Sequence, residues 1–478
     1  MMLSMIKVEL GSKIKVNVRS LPKGASQMLM EALSIPNMEK EKMMNMNLWG
    51  WQRLPDLIAL WDVVGEDLYM PRGFFDDFSD GMMMMGEELD IVDQTSFPTH
   101  NIDLGKKIDL RPWQIPQVEA IYKHGSGIIK SPAGSGKTVS VLAAIQGLQV
   151  KSLVIVNTKD IIWQWQERVQ GFWRDDIHIG QIGDNVFDIS DSITIATAQT
   201  IHVRYDKLMA DGFFDEFGFV CLDEMHHATA KTFNKIMDSF SSRYRIGVSA
   251  TPDKTGEFAL ATGVIGPIVC DTKPRDVDIL QMPTVVKIPT RFDVKLKSAD
   301  SAKDASANYQ QVIKALVTDV ERNETITANI IANSGHHQLV ISKRLAHLDI
   351  IAEMLQQANF KDPVVTIIGT DSSEHRRSAK ALADDKPCVI LSTLADEAMD
   401  IPRLDRLHLI YPQRNTGLVT QQVGRVERVH KDKKEALIFD YCDLNINSLK
   451  YQWRKRRFEV YEERGYKIRI LNQKDILF

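Results

Sequence analysis

Eight residues, Ser131-Pro-Ala-Gly-Ser-Gly-Lys-Thr138, follow a short apolar run and open a stretch with helical periodicity. Across Pro132, Ala133, Gly134, Ser135 and Gly136 the glycines let backbone N–H groups approach phosphate oxygens. Lys137 supplies a point charge suited to β and γ phosphates, and Thr138 a hydroxyl suited to Mg²⁺. The helix that opens here adds its N-terminal dipole. The strict form of this loop starts with glycine, where this chain has Ser131. Asp223-Glu-Met-His226 ends another apolar run, 86 residues after Lys137. Asp223 can hold Mg²⁺ through water, and Glu224 can orient and deprotonate an attacking water. Alone, an acidic pair suits a solvated surface; beside a phosphate-binding loop it suits hydrolysis. His226 and His227 have no matching Cys or His ligands, which points to polar coupling rather than metal binding. In Gln421-Gln-Val-Gly-Arg-Val-Glu-Arg428, the three-residue spacing of Arg425 and Arg428 predicts neighbours on one helix face. There they could stabilise charge on a γ phosphate, unless the segment is a surface helix with Glu427 as the arginines' partner.

Such residues need a rigid frame. Residues 127–130, 152–156, 193–196, 219–222 and 244–248 are short apolar runs separated by longer helical segments. The pattern repeats at 338–341, 364–368, 388–391, 407–410 and 436–439. Unalternating Val/Ile/Leu runs suit strands buried on both faces of a parallel sheet, with helices covering the faces. The chain therefore reads as an accessory domain over 1–100 and two α/β domains over 101–280 and 281–478. In the accessory region, 13–18 alternates like a half-buried strand and 57–64 suits a short helix. Met82 to Met85 read as flexible core filler. Residues 298–308, SADSAKDASAN, suggest an exposed connection.

Composition narrows the possibilities. The 478 residues suit about three domains. They are 44% hydrophobic and 26% charged, a balance that excludes wholesale disorder. A formal net charge of −4 excludes a uniformly basic nucleic-acid coat but permits a local basic groove. Four scattered cysteines (Cys221, Cys270, Cys388 and Cys442) form no zinc or disulfide pattern and suggest a reducing cytoplasm. No apolar run has the length of a membrane span or a signal-peptide core.

In order and spacing, the segments along about 110–445 resemble the motifs of superfamily 2 helicases, most of all the XPB-like and phage UvsW-like DNA helicases. Leu110-Arg-Pro-Trp-Gln114 resembles the leading glutamine motif, which implies that Arg111 and Gln114 contact the adenine side of ATP. Ser131–Thr138 resembles motif I and Asp223–His226 the DExH form of motif II. Ser249-Ala-Thr251 matches motif III, implying that His226, Ser249 and Thr251 couple hydrolysis to movement. Gln421–Arg428 resembles motif VI, with Gln421 and Arg425 at the nucleotide and Arg428 as arginine finger. Motif V departs from its pattern: Thr393-Leu-Ala-Asp-Glu-Ala-Met-Asp-Ile-Pro402 has Ala398 at the glycine, beside Glu397 and the nucleotide candidate Asp400. Candidate DNA contacts are Thr158, Lys159, Thr197 and Gln199, then Lys343, Arg344 and Thr393. Hydroxyls, amides and a few cations suit sequence-independent phosphate binding. Residues 451–470, with seven Lys/Arg against three Glu, read either as a solvated helix face or as a stacking and phosphate patch.

The resemblance implies two tandem RecA-like, doubly wound parallel-sheet domains with a small N-terminal accessory α+β domain. It implies an ATP- and Mg²⁺-dependent DNA helicase or translocase that remodels branched or forked DNA in recombination, repair or replication restart. Neither a membrane nor a structural zinc is expected. The competing readings are the motor of a restriction-type translocase, an RNA helicase, and an ATP-gated clamp that unwinds nothing.

Overall fold

The computed structural model describes residues 5–45, 49–224, 230–250, 256–278, 280–295, 302–393 and 401–471. The chain divides into two compact units, Met1–Ser131 with Gly136–Thr272, and Pro132–Ser135 with Lys273–Phe478.

Among its described residues the first unit holds two large sheets and a two-stranded one. Its N-terminal sheet has five strands in the order Asp62–Val64, Asp67–Pro71, Lys13–Asn17, Ile6–Leu10 and Leu89–Asp93. All neighbours are antiparallel except the last pair. Alternation selects Ile6, Val8, Ile14, Val16, Leu68 and Met70 for the core, where Phe78 and Met82 join them. Residues 57–64 are not a helix. Leu57–Ala59 pairs with Ser34–Pro36, and Asp62–Val64 joins the sheet edge. The β-branched Val63 and Val64, followed by Gly65 at φ 64°, favour a hairpin there. The methionine run is also not uniform core. Met82 is buried four residues after Phe78, whereas Met83, Met84 and Met85 are exposed. A helix turns consecutive residues to different faces, so four in a row cannot share one.

The second sheet of this unit has the strand order Val186–Asp188, Ile179–Gly183, Ile193–Thr197, Ser152–Val156, Phe219–Asp223, Tyr244–Ser249, Ser126–Lys130 and Ile268–Asp271. Only Val186–Asp188 runs antiparallel. Ile193–Thr197 and Ser152–Val156 are buried at every residue, as strands covered on both faces must be.

The two sheets are joined by buried polar contacts. The Arg72 guanidinium donates to Ser242 O and Arg243 O, each at 2.6 Å, and Arg245 donates to Ser12 O at 2.7 Å. Burial, with Arg245 nearby, holds Arg72 well below the usual arginine range. Beside it, a Cβ on Gly73 would lie 2.5 Å from Gly263 O, Gly266 N and Thr262 O. Gly73→Ala is therefore expected to cost about 1–3 kcal/mol, the range for forced overpacking. Thermal unfolding checks this; an unchanged melting temperature would show that the accessory sheet does not seat on this glycine.

The second unit is built on one seven-stranded, wholly parallel sheet in the order Val364–Ile367, Val389–Ser392, Gln338–Ile341, Arg406–Leu409, Leu437–Cys442, Thr284–Pro289 and Lys467–Ile470. All ten apolar runs of the sequence thus become parallel strands. The expected exposed connection is a correction: the helix Ala302–Thr318 begins inside it, at a segment whose alanines are strong helix formers. Among the described residues, no helix is long and apolar enough to cross a membrane.

Candidate nucleotide site and nucleic-acid interface

Five parallel strands of the first unit bring their C-terminal ends to one sheet edge. Registers pair Ser249 with Lys130, Asp223 with Val248, Leu222 with Ile155 and Thr197 with Val156. The edge therefore presents, side by side, the residues after 130, 249, 223, 156 and 197. Ligands bind at such edges of open parallel sheets.

At one end of this row, residues 131–136 link Ser126–Lys130 to the helix Lys137–Leu148. Gly134 and Gly136 have φ of 77° and 88°, which favours glycine. A Cβ at Gly136 would also collide with Gln114 Nε2. Gln114 is buried; it accepts from the Arg111 N–H at 2.9 Å and donates to Gly136 O at 3.2 Å. Gln114 thus braces the loop, while Arg111 is exposed over the Trp113 ring. The serine in place of the usual first glycine has a structural reason. Its hydroxyl accepts from Gln117 Nε2 at 3.0 Å. Gln117, fully buried, also donates to Thr272 Oγ1 and accepts from Ser140 Oγ. The Ser131 N–H donates to Ser249 O at 3.1 Å, tying the start of motif III to the start of the loop. Pro132 and Ser135 are buried, Ser135 Oγ donates to Pro132 O at 2.7 Å, and Ala133 and Thr138 are half-buried.

Lys137 Nζ donates to Ser131 O at 3.2 Å and lies 3.8 Å from Glu224 Oε1. Asp223 is the last residue of its strand, and its Oδ1 accepts from the Glu224 N–H at 2.9 Å. Glu224 sits at φ 46°, a left-handed conformation that a non-glycine residue holds only where its surroundings fix it. Two residues missed in the sequence do this fixing. Asn157 Nδ2 donates to Glu224 O at 3.2 Å, and Trp165 Nε1 donates to Asp223 Oδ2 at 2.7 Å. Fixed backbone donors and a solvent-edge carboxylate beside a lysine fit a magnesium–nucleotide. His226, His227, Thr251, Glu397, Ala398 and Asp400 lie outside the described residues.

The nucleic-acid candidates occupy the rest of the edge. Thr158 stands at the N-cap position of the helix Lys159–Phe172 without a side-chain cap bond and is exposed, as is Lys159, 3.6 Å from Asp184. Thr197 is nearly buried and caps the helix Ala198–Val203, its hydroxyl 2.7 Å from Thr200 Oγ1, while Gln199 is exposed. In the second unit, Lys343 and Arg344 are exposed after the strand Gln338–Ile341, and Thr393, half-buried, follows Val389–Ser392.

Motif VI corrects its expected geometry. The helix Thr416–Gly424 contains Gln421 but stops before Arg425, so Arg425 and Arg428 do not share a helix face. Arg428 instead forms an antiparallel bridge with Leu280. The break follows from Glu427, which is fully buried and held by Arg464 Nη2 and Tyr466 Oη rather than by either motif arginine. The C-terminal basic stretch likewise loses much of its free charge. Arg456 is buried on Asp440 at 2.9 Å, Arg464 on Glu427, and Arg457 pairs with Glu462 at 2.7 Å. Trp453 is buried, with Lys287 Nζ 4.0 Å from its ring centroid.

Lys433 Nζ donates to Arg428 O at 2.9 Å and to Val426 O, pinning the loop that carries Arg428. Burial pushes this lysine down to about 8 from 10.5. Between those values the unfolded chain binds the extra proton, so the group's stabilising contribution grows as pH rises from 8 towards 10.5 and is lost on return. The parental protein should therefore gain stability relative to Lys433→Met across this window, by on the order of 2 kcal/mol. Denaturant unfolding at pH 8 and pH 10 measures it; equal pH slopes would contradict the buried ammonium.

The family described as "Type III restriction enzyme, res subunit" matches residues 107–254. The DNA 3'-5' translocase XPB2 of Sulfurisphaera tokodaii is 27% identical over 403 residues, covering 77% of this chain and 88% of the relative. These matches make the chain a helicase similar to the XPB-like members of superfamily 2. A fragment of an HsdR subunit of a type I restriction enzyme from Vibrio vulnificus superposes over 79% of this helicase and 70% of that chain, with TM-score 0.55 and 16% identity, a likeness of fold. T4 UvsW is 18% identical, covering 99% of this chain and all of that one, with TM-score 0.42. As a helicase of this superfamily the protein is an ATP-dependent enzyme.

Proposed function

We propose that this helicase is a cytoplasmic, ATP-driven DNA translocase that remodels branched DNA, forks or junctions, in recombination, repair or replication restart. The observation that carries the reading is the single sheet edge on which phosphate loop, acidic pair and exposed Thr158, Lys159 and Gln199 stand in line. DNA is favoured as the strand because the XPB2 relative is named a DNA translocase.

In this reading Lys137 and the loop N–H groups hold the phosphates, and Gln114 with Arg111 faces the base. Glu224 orients the attacking water and takes its proton. Thr138 and, through water, Asp223 would hold Mg²⁺, which when bound neutralises charge on the β and γ oxygens. Arg425 and Arg428 carry the charge that develops on the transferred group. Thr158, Lys159, Thr197, Gln199, Lys343, Arg344 and Thr393 grip one backbone without reading bases.

Steady-state ATPase with single-stranded DNA, duplex, fork, four-way junction and RNA tests the proposal on the intact chain. Forked and four-way DNA should stimulate most, with steep salt dependence. Equal stimulation by linear duplex would leave a general translocase. Preference for RNA would make it an RNA helicase, and no stimulation at all would favour a clamp.

A further inference from the structure

The contacts of Trp165 and Asn157 give the nucleic-acid edge a physical route to the hydrolytic carboxylates. Trp165 lies in the helix Lys159–Phe172 with Ile161, Ile162 and Val169 on its buried face. At 2% exposure it could be only a core aromatic. Its indole N–H, however, is spent on Asp223 Oδ2 at 2.7 Å, while Asp223 Oδ1 is engaged by the Glu224 N–H. The carboxylate plane is thereby set from both oxygens, one by the helix and one by its own strand end. Asn157, just before that helix, donates to the carbonyl of Glu224, the residue in the left-handed conformation. Between these two donors lie Thr158 and Lys159, both exposed and opening the same helix. One short segment thus touches both members of the acidic pair and presents a hydroxyl and a cation outward.

We propose that Asn157 and Trp165 are positioning residues for Asp223 and Glu224, and that engagement of a nucleic-acid backbone at Thr158–Lys159 is transmitted through them to ATP hydrolysis. The second half rests on the proposed nucleic-acid function; the first half does not. A shift of the helix start moves the Asn157 amide and the Trp165 indole together, because both belong to one strand-to-helix junction. Asp223 and Glu224 follow because those donors define the carboxylate plane and the Glu224 peptide. Outer partners of metal-holding carboxylates commonly matter by 10–100-fold.

The test uses the full chain with Trp165→Phe, which removes the donor and keeps an aromatic ring, and Asn157→Ala. Mn²⁺–ADP binding is read by electron paramagnetic resonance, and ATPase is measured across a magnesium titration with and without saturating forked DNA. Trp165→Phe should weaken Mn²⁺–ADP or raise the magnesium midpoint by about tenfold, with unchanged nucleotide-free DNA affinity. Both variants should lose most of the factor by which DNA stimulates turnover. Parental metal affinity and stimulation factor in correctly folded variants would overturn the proposal, as would a uniform loss of rate and melting temperature with both quantities unchanged. If Trp165→Phe does not fold, Asn157→Ala, altered at a half-buried edge position, decides. If no nucleic acid stimulates the parental enzyme, the functional reading fails along with transmission, and the Mn²⁺ and magnesium measurements still decide positioning.

Discussion

Arg428→Ala is expected to slow ATP hydrolysis by roughly 10³-fold or more, the scale set by arginine fingers, while leaving the KM for ATP near its parental value. The expectation separates side chain from backbone. The backbone at Arg428 is pinned by its bridge with Leu280 and by Lys433, which donates to the Arg428 carbonyl at 2.9 Å. Its neighbour Glu427 is anchored independently by Arg464 and Tyr466. Truncating the side chain therefore leaves the loop in place and removes the guanidinium alone, so circular dichroism and melting temperature should hold. Arg428→Lys should recover little, since an ammonium lacks the planar fork that spans two phosphate oxygens. Arg425 is buried, and Arg425→Ala should raise KM as well as lower turnover. Turnover within a few-fold of the parent in both single variants would remove motif VI from the reaction.

The parts of this architecture legible in the sequence are those with strong local physics. Strands such as 152–156 and 193–196 must be buried on both faces, so uninterrupted β-branched and aliphatic runs announce them. The tight turn over residues 131–136 announces itself because positive φ at Gly134 and Gly136 favours glycine. Motif VI misled because three-residue spacing implies one helix face only while the helix continues. What ends it is Glu427 meeting Arg464 and Tyr466, partners 37 and 39 residues away. Residues 57–64 misled for a similar reason: pairing with Ser34–Pro36 and with Asp67–Pro71 outweighs local periodicity. Trp165 reads as one more core aromatic until Asp223, 58 residues on, accepts its N–H. Arg72 carries no local signal of its role, because its partners are carbonyls 170 and 171 residues away. Removing residues 1–95 would strip that donor, so the role of the N-terminal sheet is better probed in the intact chain.

Lys137→Ala should reduce ATP hydrolysis by about 100-fold or more, the cost of deleting one fixed donor or charge from a developing oxyanion. The lysine is more enclosed than its place at the start of a helix suggests, with a side chain 9% exposed. Its ammonium is held by Ser131 O at 3.2 Å and faces Glu224 Oε1 at 3.8 Å, so it is pre-positioned at the loop before any phosphate arrives. Pre-positioning predicts that the charge acts on bound phosphate and on the transition state alike, so ATP affinity should weaken together with turnover. The fold should survive. At 3.8 Å the lysine's approach to Glu224 is long for an ion pair, so the fold depends little on it. The loop keeps its bracing from Gln114 on Gly136 O and Gln117 on Ser131 Oγ. Thermal unfolding should therefore change little while nucleotide binding, measured by fluorescence titration, falls several-fold. A folded Lys137→Ala protein that hydrolyses ATP at the parental rate would reduce residues 131–138 to a glycine-rich turn, and the catalytic base would have to be sought away from Glu224.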